Sequence, residues 1–276
     1  MQYIKLRSRG PFVSYLQELL GKLGYELPAT GYFGTQTDAA VRDFQRKNNL
    51  VVDGEVGIKT WTVLLAKTKP AQELEGKFLG EQDLRDFALQ NNLELAAVKA
   101  VNEVESSGKG FLVDGRPKIL FEGHVFWNQL KLRGINPSQL ANASNADVLY
   151  STWTRSHYVG GLGEYSRLEK AMSLSPDPSI IEAALASASW GSYQIMGYHA
   201  EKLGYSSVQE FVDEMYEHER NQLQAFGRYL IAFGCITHLR AKNWAKFAHC
   251  YNGPQYAKNK YDSKMANAYL KYKSQS

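Results

Sequence analysis

The chain has 276 residues, 44% of them hydrophobic and 22% charged, which suffices for one large or two ordinary domains with cores of their own. This balance excludes a disordered chain, and no apolar run approaches the ~18 residues needed to cross a bilayer, so membrane insertion is not expected. The net charge of +4 arises in residues 1–70, where ten Lys and Arg face six Asp and Glu; residues 71–276 balance overall but end in a lysine-rich segment.

That basic end admits a polyanionic partner, although a solvated lysine surface is the plainer reading and no nucleic-acid motif accompanies it. Six histidines without H-E-x-x-H or comparable spacing give no metal site, and no cofactor motif is present. Cys235 and Cys250 form neither a disulfide framework nor a zinc set, and are expected to be free thiols of a protein made in a reducing cytosol. The start, MQYIKLRSRG, has no apolar h-region, so no secretory signal peptide is expected.

Residues 1–68 contain a short repeat. Gly31-Tyr32-Phe33-Gly34, with Thr37 following, recurs 23 positions later as Gly54-Glu55-Val56-Gly57 with Thr60. Each copy predicts a glycine turn before a helix, with Phe33 or Val56 able to plug a core. Val13, Leu16, Leu19, Leu20 and Leu23 predict one buried helical face, Ala40, Val41 and Phe44 a second, and Trp61, Leu64 and Leu65 a third.

The ordered set Gly-x-Phe-Gly, Ala-Val-x-x-Phe-Gln, Asp-Gly-x-Val-Gly and Thr-Trp-x-x-Leu over residues 8–66 resembles the three-helix peptidoglycan-binding module of many bacterial and phage cell-wall hydrolases. The resemblance implies that residues 1–68 bind the wall. Residues 69–80, polar and punctuated by Pro and Gly, read as a linker, leaving 81–276 as a second domain.

In that domain a helix is predicted to begin near Glu81 and another to run from about Asn92 to Val104, with Leu93, Ala97, Val101 and Val104 on its apolar face. Glu105, four residues after Val101, continues that face. Glu103 lies four after Lys99 and is expected to be an exposed ion pair. Burial and the negative end of the helix dipole both raise the pKa of Glu105, which suits a general acid. Position alone leaves open a carboxyl that merely bonds a nearby loop.

Val113-Asp114-Gly115-Arg116 then predicts a turn and residues 118–121 a return strand, a small hairpin that delivers Glu122. Glu122 can be nucleophile, water-activating base or electrostatic stabiliser, or can tie the hairpin to a helix through an arginine. In the middle segment Trp127, Trp153, His157 and Tyr158 are candidates to line a sugar groove, while Gly160-Gly161-Leu162-Gly163 lacks the context of a phosphate loop. Pro176-Asp177-Pro178 starts a helix predicted to reach Ser189, followed by a glycine-bracketed turn presenting Tyr193 and Gln194. Two or three helices over 208–250 end in Tyr251-Asn252-Gly253, and a last one covers Asp262 to Tyr272.

Three segments thus stand in fixed order: Glu105-Ser106, Gly191-Ser192-Tyr193-Gln194-Ile195 and Ala248-His249-Cys250-Tyr251-Asn252-Gly253. The order resembles the lysozyme-like superfamily, in particular goose-type lysozymes and soluble lytic transglycosylases. E-S-S-G-x-G-F, L-F-E-G-H and S-W-G-x-x-Q-I-M-G are closer still to the N-acetylmuramidase domain of phage endolysins.

The resemblance implies a mainly α protein: a three-helix bundle plus a lysozyme-like α+β domain with a small β-hairpin. It implies a monomeric, bacteriolytic glycosidase cleaving the β-1,4 bond between N-acetylmuramic acid and N-acetylglucosamine in peptidoglycan. Made in the host cytoplasm, such a protein reaches the wall when another agent releases it. Glu105 becomes the acid, Tyr251 a hydrogen-bond donor to its carboxyl, and Gln194 and Asn252 sugar ligands, with Ser106, Tyr193 and Tyr158 further substrate contacts and Glu122 a candidate second carboxylate. A lytic transglycosylase on the same bond and a non-catalytic wall-binding protein are the alternatives.

Overall fold

A computed structural model describes residues 3–68, 76–106, 110–112 and 114–274, so residues 69–75 of the expected linker, 107–109 of the Glu-Ser-Ser motif and Val113 of the turn lie outside it. The chain divides into two compact units. One comprises Met1–Glu75 with Ser156–Arg167, the other Gly76–Arg155 with Leu168–Ser276. Residues 156–167, taken from sequence with the second domain, therefore group with the first unit.

In the first unit the helices are α1 (Pro11–Lys22), α2 (Thr35–Lys47) and α3 (Ile58–Thr68). Their apolar faces are those the spacing predicts: Leu16, Leu19, Val41, Phe44, Trp61 and Leu64 are shielded from solvent, and Leu23 and Leu65 partly so. Phe33 and Val56 are wholly buried plugs between their glycines.

The repeat has a polar counterpart that the sequence pattern does not reveal. The buried amide of Gln17 accepts from Gly31 N and donates to Tyr32 O and Thr37 Oγ1. Gln45 treats the second turn alike, accepting from Gly54 N and donating to Glu55 O and Thr60 Oγ1. Two amides thus satisfy backbone groups that the turns would otherwise bury unpaired. In residues 156–167, Glu164 is fully buried, accepts from Val159 N and Gly160 N at 2.8 and 2.9 Å, and pairs with Arg167 at 2.8 Å. A carboxylate already fills the anion position of that glycine loop, which agrees with reading it as no phosphate site.

The second unit begins with α4 (Glu81–Gln90) and α5 (Leu95–Glu105), the latter burying a face of Ala96, Ala97, Ala100 and Val101. Strand β1 (Ile119–Phe121) leads into α6 (Gly123–Leu132) and the short α7 (Pro137–Leu140). Helix α8 (Gly163–Met172), of which only Leu168 onward belongs to this unit, precedes α9 (Pro178–Ala186), which starts on Pro178 with Asp177 capping Ser179 N at 2.8 Å. This helix stops at Ala186, short of the predicted Ser189, because the chain enters β2 (Ala188–Trp190) and turns into β3 (Ile195–Met196).

The sheet is antiparallel in the order β1-β2-β3, with Ile119 opposite Trp190 and Ser189 opposite Met196. The expected hairpin before Phe121 is reduced to a single bridge between Phe111 and Pro117; β1 pairs with a strand some 70 positions on instead. Two 3-10 turns, Gly197–His199 and Glu201–Leu203, lead to α10 (Val208–Glu217), α11 (Glu219–Ala232), α12 (Ile236–Arg240), α13 (Trp244–Asn252) and α14 (Tyr261–Lys273), which packs along α5.

Two corrections to the sequence reading emerge here. Cys235 and Cys250 are joined by a disulfide: α12 and α13 form a helical corner that brings their Cα atoms to 5.7 Å, inside the bonding range. Spacing in a chain of two cysteines does not announce such a corner. The Lys99–Glu103 pair is also absent. Lys99 pairs with Glu81 at 2.8 Å, and Glu103, exposed as expected, pairs with Lys271 at 2.7 Å and accepts from Tyr272, because α14 offers it partners on another helix.

Buried Glu219 binds the unit's opening to its middle. Its backbone N–H donates to Lys77 O, while its carboxylate accepts from Leu79 N and Gly110 N, each at 2.9 Å.

Candidate active site

Helix α5 ends at Glu105, and the geometry around that end decides its chemistry. Ser106, buried as the C-cap, turns its hydroxyl back to Asn102 O, one turn earlier. Asn102 Oδ1 in turn accepts from the Tyr193 hydroxyl at 2.7 Å. The helix end is therefore held from within and from the β2–β3 turn.

Asn252, the last residue of α13, donates Nδ2 to Glu105 Oε2 at 3.0 Å; Glu105 Oε1 is buried and has no hydrogen-bond partner among the described residues. Burial raises the Glu105 pKa from 4.5 to about 7, with the Asn252 bond acting weakly in the opposite sense. This carboxyl is substantially protonated at neutral pH, unlike Glu103 two residues earlier on another face of the helix, which Lys271 and Tyr272 hold below the usual value.

Glu105 lines a groove of about 370 Å³ with Tyr193, Gln194, Met196, Tyr198, His199, Tyr229, Tyr251, Asn252 and Tyr261. It is the one carboxylate among those lining residues. Aromatic faces dominate the remainder, which suits stacking on pyranose rings. Burial, with Lys202 adding to it, lowers His199 to about 4, so that its ring is neutral; it stands edge-on to Tyr229 and Phe233.

The turn after β2 is built on two left-handed residues, Gly191 at φ 72° and Gln194 at φ 51°. A Cβ on Gly191 would stand 2.7 Å from Gln222, so glycine is required by space as well as by φ. Gln194 reaches the groove, but its amide serves the turn: it donates to Gly191 O at 2.9 Å and Lys118 O at 3.2 Å and accepts from Ser189 at 3.0 Å. Tyr193 is buried, stacked on Phe226 at 4.4 Å.

Tyr251 differs from its expected role. Its hydroxyl donates to the backbone carbonyl of Tyr193 at 2.7 Å, and the donor to Glu105 is Asn252 instead. Burial holds the Tyr251 pKa well above the phenol value, so this hydroxyl remains a donor.

Of the candidate site residues, the structure brings Glu105, Tyr193, Gln194, Tyr251 and Asn252 together. Ser106 supports them from behind. Glu122 does not line the groove; it is the N-cap residue of α6, with its carboxylate 3.4 Å from His124 Nδ1. Tyr158 lies in the segment grouped with the first unit, under the Arg167 guanidinium, and Trp127, Trp153 and His157 are likewise not in the groove. Sequence reasoning missed Met196, Tyr198, His199, Tyr229 and Tyr261. The first three follow the Gly191 turn directly, so extending that motif by five residues would have found them.

A mainly α fold with a small antiparallel sheet, and an aromatic groove holding one acid of raised pKa, define a polysaccharide-cleaving enzyme of the lysozyme kind. The N-acetylmuramidase family model matches residues 94–273, and the chain belongs to that family of glycoside hydrolases. A putative peptidoglycan binding domain matches residues 9–64, the three-helix unit. Among solved structures, the chain is similar to that titled crystal structure of Burkholderia AP3 phage endolysin. Identity is 42% over 99% of this chain and 100% of that one, with a TM-score of 0.66.

Proposed function

We propose that this enzyme hydrolyses the β-1,4 bond between N-acetylmuramic acid and N-acetylglucosamine, with Glu105 as general acid. One observation carries the reading: a carboxyl of pKa about 7 in the groove wall, with one oxygen held and the other unpartnered among the described residues. Because Asn252 donates to Oε2, the proton of the neutral acid belongs on Oε1. From there it passes to the glycosidic oxygen as the C1–O bond breaks, and a water molecule adds to C1 and returns a proton to the carboxylate. No second carboxylate lines the groove among the described residues, so Glu122 has a structural role in this scheme.

The aromatic side chains Tyr198, Tyr229 and Tyr261 supply stacking faces, and the N-terminal module holds the enzyme on its insoluble substrate. Action on the wall of a bacterial host, as an endolysin released from the cytosol where it is made, is the setting we infer from the relatives; the protein acts as a monomer.

Digestion of purified peptidoglycan tests this. The soluble muropeptides are expected to carry reducing N-acetylmuramic acid ends by mass spectrometry, and Glu105→Ala is expected to release none. Full activity in that variant refutes the assignment, and 1,6-anhydro ends refute hydrolysis.

A further inference from the structure

The catalytic groove does not stop at Tyr198. A second groove, of about 670 Å³, is lined by Gln129, Arg133, Glu182, Tyr198, Glu201 and Ser206. Tyr198 lines both grooves, and the adjoining Gly197 belongs to the second while Met196 belongs to the first. The floor is tight where they meet: a Cβ on Gly197 would lie 2.4 Å from Leu185 O at the end of α9. Tyr198 itself is 44% exposed at this junction.

The two grooves differ in chemistry. The first has aromatic walls and the single acid Glu105. The second has Tyr198 as its one aromatic and carries ionic groups of both signs. Arg133 is oriented by Gln129, donating to its backbone O at 3.2 Å and its side-chain Oε1 at 2.7 Å, and approaches Glu182 at 3.9 Å. Glu182 is 60% exposed and Glu201 is exposed, so neither carboxylate is sequestered by its neighbours.

Neutral N-acetyl sugars have no use for fixed charges, whereas a short peptide bearing carboxylates and an ammonium does. Peptidoglycan presents such a peptide: it is attached through the lactyl ether at C3 of muramic acid, two ring carbons from the C1 that is cleaved. A muramyl ring seated against Glu105 therefore projects its peptide within one ring's width of the bond broken.

We infer that this second groove is a subsite for the peptide borne by the muramyl residue, with Arg133 facing a peptide carboxylate and Glu201 and Glu182 facing its ammonium. The enzyme then prefers peptide-substituted glycan over bare glycan strands. This inference rests on the muramidase reading above.

The test compares kcat/KM on peptidoglycan of the diaminopimelate type with kcat/KM on the same glycan stripped of peptides by an amidase. Wild type is expected to favour the substituted polymer by about tenfold or more, the scale of one or two charge-assisted contacts. Arg133→Ala and Glu201→Lys are each expected to reduce that ratio several-fold. The ratio is independent of the fraction of enzyme that is folded, so a poorly folding variant does not obscure it. Equal rates of wild type on the two polymers overturn the subsite, as does an unchanged ratio in both variants, which would assign the groove to further sugar units. Absence of cleavage on either polymer overturns the muramidase reading and the subsite with it.

Discussion

Glu105→Gln separates catalysis from stability in a way few substitutions do. The folded-state pKa of about 7 lies above the ordinary 4.5 because burial disfavours the carboxylate. Between those values the folded protein binds a proton that the unfolded chain has lost, so stability falls as pH rises through this window and reaches a plateau above pH 7. A shift of about 2.5 units corresponds to roughly 3 kcal/mol at pH 8 and less than about 1 kcal/mol at pH 5.

Glutamine keeps an oxygen for the Asn252 Nδ2 bond and is never ionised, so the variant escapes this cost. Denaturant unfolding of both proteins at pH 5 and pH 8 is expected to show Glu105→Gln more stable at pH 8 by roughly 2–3 kcal/mol, with most of the gain gone at pH 5. The same variant is expected to be inactive on peptidoglycan. Wild-type kcat/KM is correspondingly expected to decline above about pH 7 as the acid ionises. A variant no more stable than wild type at pH 8 would refute the claim that Glu105 is buried at a cost, and retained activity would refute its role as acid.

Asn252→Ala removes a bond that favours the charged carboxyl, so the Glu105 pKa is expected to rise further and the alkaline limb of the pH–rate profile to move to higher pH, with a rate loss of roughly five- to tenfold. Tyr251→Phe orphans the Tyr193 carbonyl and is expected to cost about 1 kcal/mol in unfolding experiments while leaving that limb in place; a shifted limb would mean that the hydroxyl reaches Glu105 after all. Glu122→Gln is expected to lose less than about tenfold in kcat/KM, roughly 1.4 kcal/mol of barrier, since its carboxylate faces His124 outside the groove. Reduction of the Cys235–Cys250 bond, which closes a loop with a sequence separation of 15, is expected to cost ~3 kcal/mol by urea titration with and without reductant; an unchanged midpoint would refute a stabilising cross-link.

What could be read from the sequence follows from the range of each interaction. Helical phase put Glu103 in solvent and Glu105 inward, because both facts depend on neighbours three or four residues away. The glycine turns around Phe33 and Val56 and the turn at Gly191 were legible for the same reason. The partners were not. Glu103 found Lys271 and Tyr272 rather than Lys99, and β1 found β2 rather than the segment before it, since tertiary packing of α14 and of the sheet outweighs local pairing.

The motif points Tyr251 at a carboxyl, whereas its hydroxyl donates to a backbone carbonyl, an acceptor that every residue carries and no motif marks. The roles of Gln17 and Gln45 escaped notice likewise, as a glutamine on a helix reads as surface until the turn it serves is folded against it.

The acid and its donor, Glu105 and Asn252, are 147 residues apart, and α14, which packs along α5, is formed later still. During synthesis Glu105 therefore emerges long before the helix that completes its surroundings. Without that helix the burial that raises its pKa is incomplete. A chain lacking α13 and α14 is accordingly expected to be unable to cut. For an enzyme that cleaves peptidoglycan, the ability to cut is thereby tied to the last helices of the chain.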